Sequence, residues 1–143
     1  MSDTFAGAGT EVRYAMKTEL FTLCDFAQEN EGKLTVVGTF DTIVAREFPC
    51  VHPLLSVVVR LRFDIWEFGR HTFRVESRDL DGDAVIAPIS GSLEVRGVGN
   101  ATAVSHVLFN VSGVRFKGSG VASFVLLVDD KEITSIPLYI RKG

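Results

Sequence analysis

From residue 55 onward the chain alternates. Leu55, Val57, Val59, Leu61, Phe63 and Ile65 fall on one side, and Ser56, Val58, Arg60, Arg62, Asp64 and Trp66 on the other. After Glu67, Phe68 and Gly69 the alternation resumes, with His71, Phe73, Val75 and Ser77 on one side and Arg70, Thr72, Arg74, Glu76 and Arg78 on the other. A period of two with one apolar and one charged face predicts a half-buried antiparallel hairpin over residues 55–78, in which Gly69 takes the positive φ of a three-residue loop. That register sets Arg62 opposite Arg74, Arg60 opposite Glu76 and Val58 opposite Arg78.

The rest of the pattern is also strand-like. Residues 17–27 carry Leu20, Phe21, Leu23 and Phe26 on both faces, as a central strand does, and 29–32 reads as a turn into a second strand over 33–44. Pro49 and Pro53 lack the donor a ladder needs, so 46–53 is expected to be a crossover loop. The turn Asp79-Leu80-Asp81-Gly82-Asp83 precedes short strands at 84–87 and 92–96, then a strand at 103–111 and a glycine-marked connection at 113–120. The apolar run 121–128 is rich in β-branched residues and predicts a central strand; Pro137 demotes the last strand, 132–140, to an edge or a bulge. No helical periodicity persists over ten residues. The expected class is all-β, an antiparallel β-sandwich of about eight strands, jelly-roll or immunoglobulin-like.

Composition narrows this further. The 143 residues fit one domain over 16–143 behind a flexible leader at 1–15, whose Ser, Thr and Gly content carries little apolar surface. Two cysteines, Cys24 and Cys50, are too few for a disulfide framework and point to a reducing, cytoplasmic setting. A net charge of −3 gives no global attraction to nucleic acid, and no apolar run reaches the length of a membrane helix. Neither nucleic acid nor membrane is therefore expected as a partner.

One family resembles the chain from residue 16 to its last residue. Met16-Lys17, Leu20 to Ala27, Gly32-Lys33-Leu34-Thr35-Val36-Val37-Gly38, Pro49, His52-Pro53, the 79–83 turn and Val128-Asp129-Asp130 before Ile136-Pro137-Leu138 are similar to a widespread bacterial family of uncharacterised proteins, about 130 residues long. The resemblance implies a β-sandwich of this length and carries no catalytic residues with it. Asp130 stands where a turn glycine is expected.

Four candidates for chemistry remain. Arg60, Arg62, Arg74 and Arg78 on the predicted outer hairpin face form a positive ribbon suited to an anion or an acidic partner, against the plainer reading of cross-strand ion pairs. Trp66 and Phe68 at its tip, beside Arg70, offer an aromatic anchor for a partner, or else fold back over the end of the body. Asp79, Asp81 and Asp83 share the opening of a calcium loop but lack its later bidentate glutamate, and Asp-Gly is a turn in its own right. Cys50 and His52 would need a third ligand or an orienting group to bind zinc or to catalyse, and His71 should face inward as a core histidine. No catalytic, metal or cofactor set emerges, and no cofactor is called for. The leading expectation is a non-catalytic protein-interaction or self-association module; a small-ligand or carbohydrate-binding module ranks second, with Trp66, Tyr139 and Phe116 scattered in sequence, and an enzyme third.

Overall fold

The structure, a computed structural model, describes residues 16–143, so the leader at 1–15 lies outside it. Among the described residues, every regular element is a strand apart from one three-residue 3-10 turn at Ile65–Glu67. The strands are β1 (Lys17–Asn30), β2 (Lys33–Phe40), β3 (Thr42–Ala45), β4 (Cys50–Asp64), β5 (Gly69–Arg78), β6 (Ile89–Val95), β7 (Thr102–Phe116), β8 (Gly120–Val128) and β9 (Lys131–Lys142). They form a four-stranded sheet in the order β2-β1-β4-β7 and a five-stranded sheet in the order β3-β9-β8-β5-β6.

The strand phases at 55–65 and 71–77 are as expected, but their partners are not. β4 pairs with β1 and β7, while β5 pairs with β6 and β8, so 55–78 is a crossover between sheets and no hairpin. Arg62 lies across from Lys17 and Val104, not Arg74; Arg60 from Leu20 and His106, not Glu76; and Val58 from Thr22 and Leu108, not Arg78. Alternation reports which face a residue takes, and two strands of one apolar phase can serve opposite sheets across one core equally well. Both sheets feed that core. Leu55, Val57, Val59, Leu61 and Phe63 from β4 join Val75 from β5, Phe124 and Leu126 from β8, and Leu138 from β9, all at most 1% exposed.

Other expectations shift by local causes. The strand read over 33–44 breaks at Asp41 into β2 and β3, one in each sheet, and β3 runs parallel to β9, so the ladders are not all antiparallel. Pro53 falls inside β4, not in a loop: at 50–55 only β7 flanks the strand, and a missing N–H is tolerated on the open side. Pro137 sits in β9 where β3 does not reach, which is the same local edge, and the ladder slips nearby between Leu126 and Leu127. Residues 84–87 are irregular, because Ser77 Oγ takes the Ile86 N–H at 2.9 Å in place of a ladder partner. β7 extends through Gly113, whose φ of +66° sits within the strand, to Phe116.

The four-stranded sheet curls. β1 and β7 are separated by β4, yet Glu29 of β1 bonds His106 of β7, and a second small core of Cys24, Ala27 and Val58 is covered by Leu20, Leu34, Val36 and Leu108. The far end of the β1–β2 hairpin thus folds over the sheet face that points away from the main core.

Candidate functional site

The arginines expected on one ribbon divide between two faces. Arg60 and Arg62 lie on the outer face of the four-stranded sheet, and Arg74 and Arg78 on that of the five-stranded one. On each face a single glutamate serves the pair. Glu19 is the extra residue where the β1–β4 register slips between Thr18 and Leu20, and that bulge turns its carboxylate onto Arg60 Nε at 2.7 Å and Arg62 Nε at 2.5 Å. Arg62 and then Arg60, by hydrogen bonding, outweigh the desolvation and hold the Glu19 carboxyl at about 2, against an ordinary 4.5. On the other sheet, Glu76 accepts from Arg74 Nε at 2.5 Å and lies 3.6 Å from Arg78 Nη2.

The first face continues inward as a polar chain. Arg60 Nη1 lies 2.8 Å from His106 Nε2. A guanidinium can only donate, so Nε2 carries the lone pair and Nδ1 carries the proton that His106 gives to Glu29. Arg62 Nη1 donates to Thr102 Oγ1 at 2.9 Å, and the His106 side chain is only 2% exposed. A carboxylate–imidazole pair of this kind could orient a general base, but the nitrogen a base would use is filled by Arg60. The chain closes the curl of the sheet instead.

At the aromatic tip the two candidates part. Trp66 is 74% exposed on the 3-10 turn, while Phe68 packs against the main core with its ring over Gly97, where a Cβ would lie 2.9 Å from it. Phe68 is thus not part of an exposed anchor; its phase carries it inward. The turn is well braced: Glu67 accepts from the N–H of Asp64 at 2.8 Å and of Met16 at 3.2 Å. Ile65 and Val98, 57% and 74% exposed, belong to the same end of the body, since Asp64 pairs with Thr102 and Gly69 with Val95.

His71 faces inward as expected, stacked on Phe63 at 4.7 Å between ring centroids. Its Nδ1 lies 2.6 Å from Asp129 and its Nε2 2.6 Å from the Glu67 carbonyl, two acceptors that want a proton on each nitrogen. Burial works against the charged ring, but Asp129 and that carbonyl outweigh it and raise its pKa above 6.5. Asp129, desolvated yet bonded by His71 and the Thr72 N–H, is lowered below 3.8. Asp129 and Asp130 both take positive φ, 51° and 65°, so the expected glycine-like turn is made by two aspartates.

Asp79, Asp81 and Asp83 do converge, with carboxylate oxygens within 4.8 Å of one another. Asp79 Oδ1 is spent on the N–H groups of Asp81 and Asp83, at 2.9 and 3.0 Å, and Lys117 reaches Asp83 at 2.6 Å, which raises the lysine pKa. Those bonds are a turn's own. Cys50 and His52 share a strand, with His52 5.6 Å from the Phe40 ring, and neither Cys24 nor Cys50 is in a disulfide. Sequence reasoning missed His106 and Glu29, whose meeting depends on a curl that no local pattern encodes.

Comparison with known proteins adds the following. The profile described as "Family of unknown function (DUF6941)" matches residues 19–141, as the resemblance to an uncharacterised family of about 130 residues implied. No curated protein matches. Among solved structures, the chain is similar to the Pseudomonas fluorescens alkylpurine DNA glycosylase AlkC bound to DNA containing an abasic site analog. The TM-score is 0.52 at 12% identity over 88% of this chain, which spans 30% of that one. It is also similar to a β-glucosidase from Listeria innocua, with a TM-score of 0.48 at 10% identity, over 88% of this chain and 16% of that one. At 12% identity the likeness to the glycosylase concerns the fold alone. No helix among the described residues is long and apolar enough to cross a membrane.

Proposed function

We propose that this chain, which belongs to a family of unknown function, is a non-catalytic protein-interaction module, self-association included, that meets its partner through the end carrying Trp66. The observation that carries the reading is a tryptophan 74% exposed on a turn braced by Glu67. Rigid, solvent-facing aromatics beside other apolar side chains are what binding hot spots are made of, and Ile65 and Val98 supply the neighbours. Support for a non-catalytic role comes from how the titratable groups are spent: His106 on Arg60 and Glu29, His71 on Asp129 and Glu67, Asp79 on its own turn.

The body itself is read as an immunoglobulin-like sandwich. In favour stands the strand order: β1-β4-β7 corresponds to the A-B-E edge of one sheet and β9-β8-β5-β6 to G-F-C with an added C′, without the usual disulfide or core tryptophan. Unpaired thiols at Cys24 and Cys50 suit a bacterial cytoplasm.

Light scattering after size exclusion, run on the native protein and on Trp66→Ala, tests the contact. The native chain is expected to form a concentration-dependent assembly or to retain a stoichiometric protein partner, and the variant to lose it while keeping its melting temperature. A variant indistinguishable from native in assembly and partner would sink the proposal. A small-ligand or carbohydrate-binding role is the second reading, favoured by an open groove around Tyr139.

A further inference from the structure

Tyr139 lies in β9 between two core residues, Leu138 and Ile140, which are 0% and 5% exposed, and its own side chain is 41% exposed on the outer face of the five-stranded sheet. Across the ladder stand Val121 on β8, 39% exposed, and Thr42 on β3. Arg141 shares that face two residues on. Asp41, just ahead of β3, fixes one side: its carbonyl accepts the Tyr139 N–H at 2.7 Å, and its Oδ1 accepts the Thr42 hydroxyl at 2.8 Å. Together with Gly120 these residues line an open groove of about 500 Å³, within the range of small-molecule sites.

Apart from the Thr42–Asp41 bond, the polar groups here are unspent. Arg60, Arg62, Arg74 and Arg78 each have a glutamate. Among the described residues, the Arg141 guanidinium, the Tyr139 hydroxyl and Asp41 Oδ2 have no hydrogen-bond or ion-pair partner. A rigid aromatic ring with an aliphatic neighbour therefore shares the groove with a forked donor and a carboxylate acceptor.

We infer that this groove binds a pyranose ring of a saccharide, an inference that rests on the small-ligand reading and is independent of the Trp66 contact. A pyranose has an apolar C–H face that can cover the Tyr139 ring and a rim of vicinal hydroxyls that act as donors and acceptors at once. Arg141 can give two parallel hydrogen bonds to such a rim, Asp41 Oδ2 and the Thr42 hydroxyl oxygen can accept from it, and Tyr139 can do either. A phosphate would be repelled by the carboxylate of Asp41. A charged protein side chain would match only one of Arg141 and Asp41 and leave the other desolvated. Tyr139 and Thr42 stand on paired strands, so the arrangement is held before the ligand arrives.

Affinity electrophoresis tests this, with the full chain run through gels containing hydroxyethylcellulose, laminarin, galactomannan or polygalacturonate. Retardation is expected in at least one gel; the first three report neutral sugars and the last an acidic one. Tyr139→Ala should weaken that binding at least about tenfold, and Arg141→Ala, at an exposed position with no partner to lose, should weaken it as well. Trp66→Ala should bind as the native chain does. Free migration in all four gels would overturn the inference, as would retardation that survives both Tyr139→Ala and Arg141→Ala.

Discussion

The two outer faces of this molecule were written in the same alternating code and ended in opposite conditions. On the four-stranded sheet the outward positions Cys24, Ser56 and Val58 are 0% exposed, sealed by the folded-over end of the β1–β2 hairpin and by the Glu29–His106–Arg60–Glu19 chain. On the five-stranded sheet the outward positions Arg74, Arg78, Val121 and Tyr139 stay in solvent. The difference lies in length and curvature. β1, β4 and β7 run to 14 or 15 residues, long enough to coil until the sheet covers part of its own back, whereas β5, β6 and β8 have 10, 7 and 9. A charged outward residue is therefore part of a seal on one side, whereas on the other it stays in solvent even where, like Arg74 and Arg78, it shares a glutamate.

Three measurements bear on this contrast. The largest effect should come from placing an acid at matched outward positions. Val58→Asp buries a carboxylate beside Cys24 and Leu108 and is expected to cost about 4 kcal/mol in urea unfolding, while Val125→Asp on the open face costs about 1 kcal/mol. Equal costs would mean that the curl contributes no real seal. Next come the two glutamates that each serve an arginine pair. Glu19→Gln should cost about 1 kcal/mol at pH 7 and Glu76→Gln less than about 0.5 kcal/mol. The Glu19 pKa is depressed in the folded state, so its contribution is full above pH 4.5 and fades as pH falls toward about 2. Acid unfolding of Glu19→Gln should show a correspondingly flatter approach to low pH. A variant as acid-sensitive as native would remove Glu19 from that role.

The smallest effect concerns His71, at the rim between the sheets. Its folded pKa is raised, so the tie to Asp129 is at full strength below 6.5 and is lost as pH rises through the higher folded value. Asp129, lowered, keeps its share above 3.8 and loses it below. The contact is thus strongest between those limits. Imidazole titration by NMR should place His71 above the ordinary histidine midpoint, and Asp129→Asn should return it there; an unmoved midpoint would show that Asp129 does not hold the ring.

Much of the architecture was readable from side-chain periodicity because burial on one face is a local constraint. The strand phases read at 17–27, within 55–78 and at 121–128 fall in β1, β4, β5 and β8, and the turn read over 29–32 closes at Glu31-Gly32. Pairing was not readable. Two apolar phases separated by three residues look alike whether the chain turns back beside itself or steps across the core, and Gly69, with φ at +129°, serves the second as readily as the first. Among site residues, Trp66 was legible as an exposed aromatic, whereas Phe68 stayed open between an anchor and a fold-back because its packing partner, Gly97, is distant in sequence. Glu19 was invisible for another reason: its role depends on a one-residue slip in the ladder, which leaves no compositional trace.

The parallel ladder between β3 and β9 joins Thr42 to Tyr139, about a hundred positions apart along the polypeptide. On a ribosome, β3 would emerge long before anything existed for it to zip onto, and Ile43 would wait in water until β9 arrived. Completion of the five-stranded sheet is then a late event, and a nascent chain of this kind spends most of its synthesis with one sticky segment in want of a chaperone.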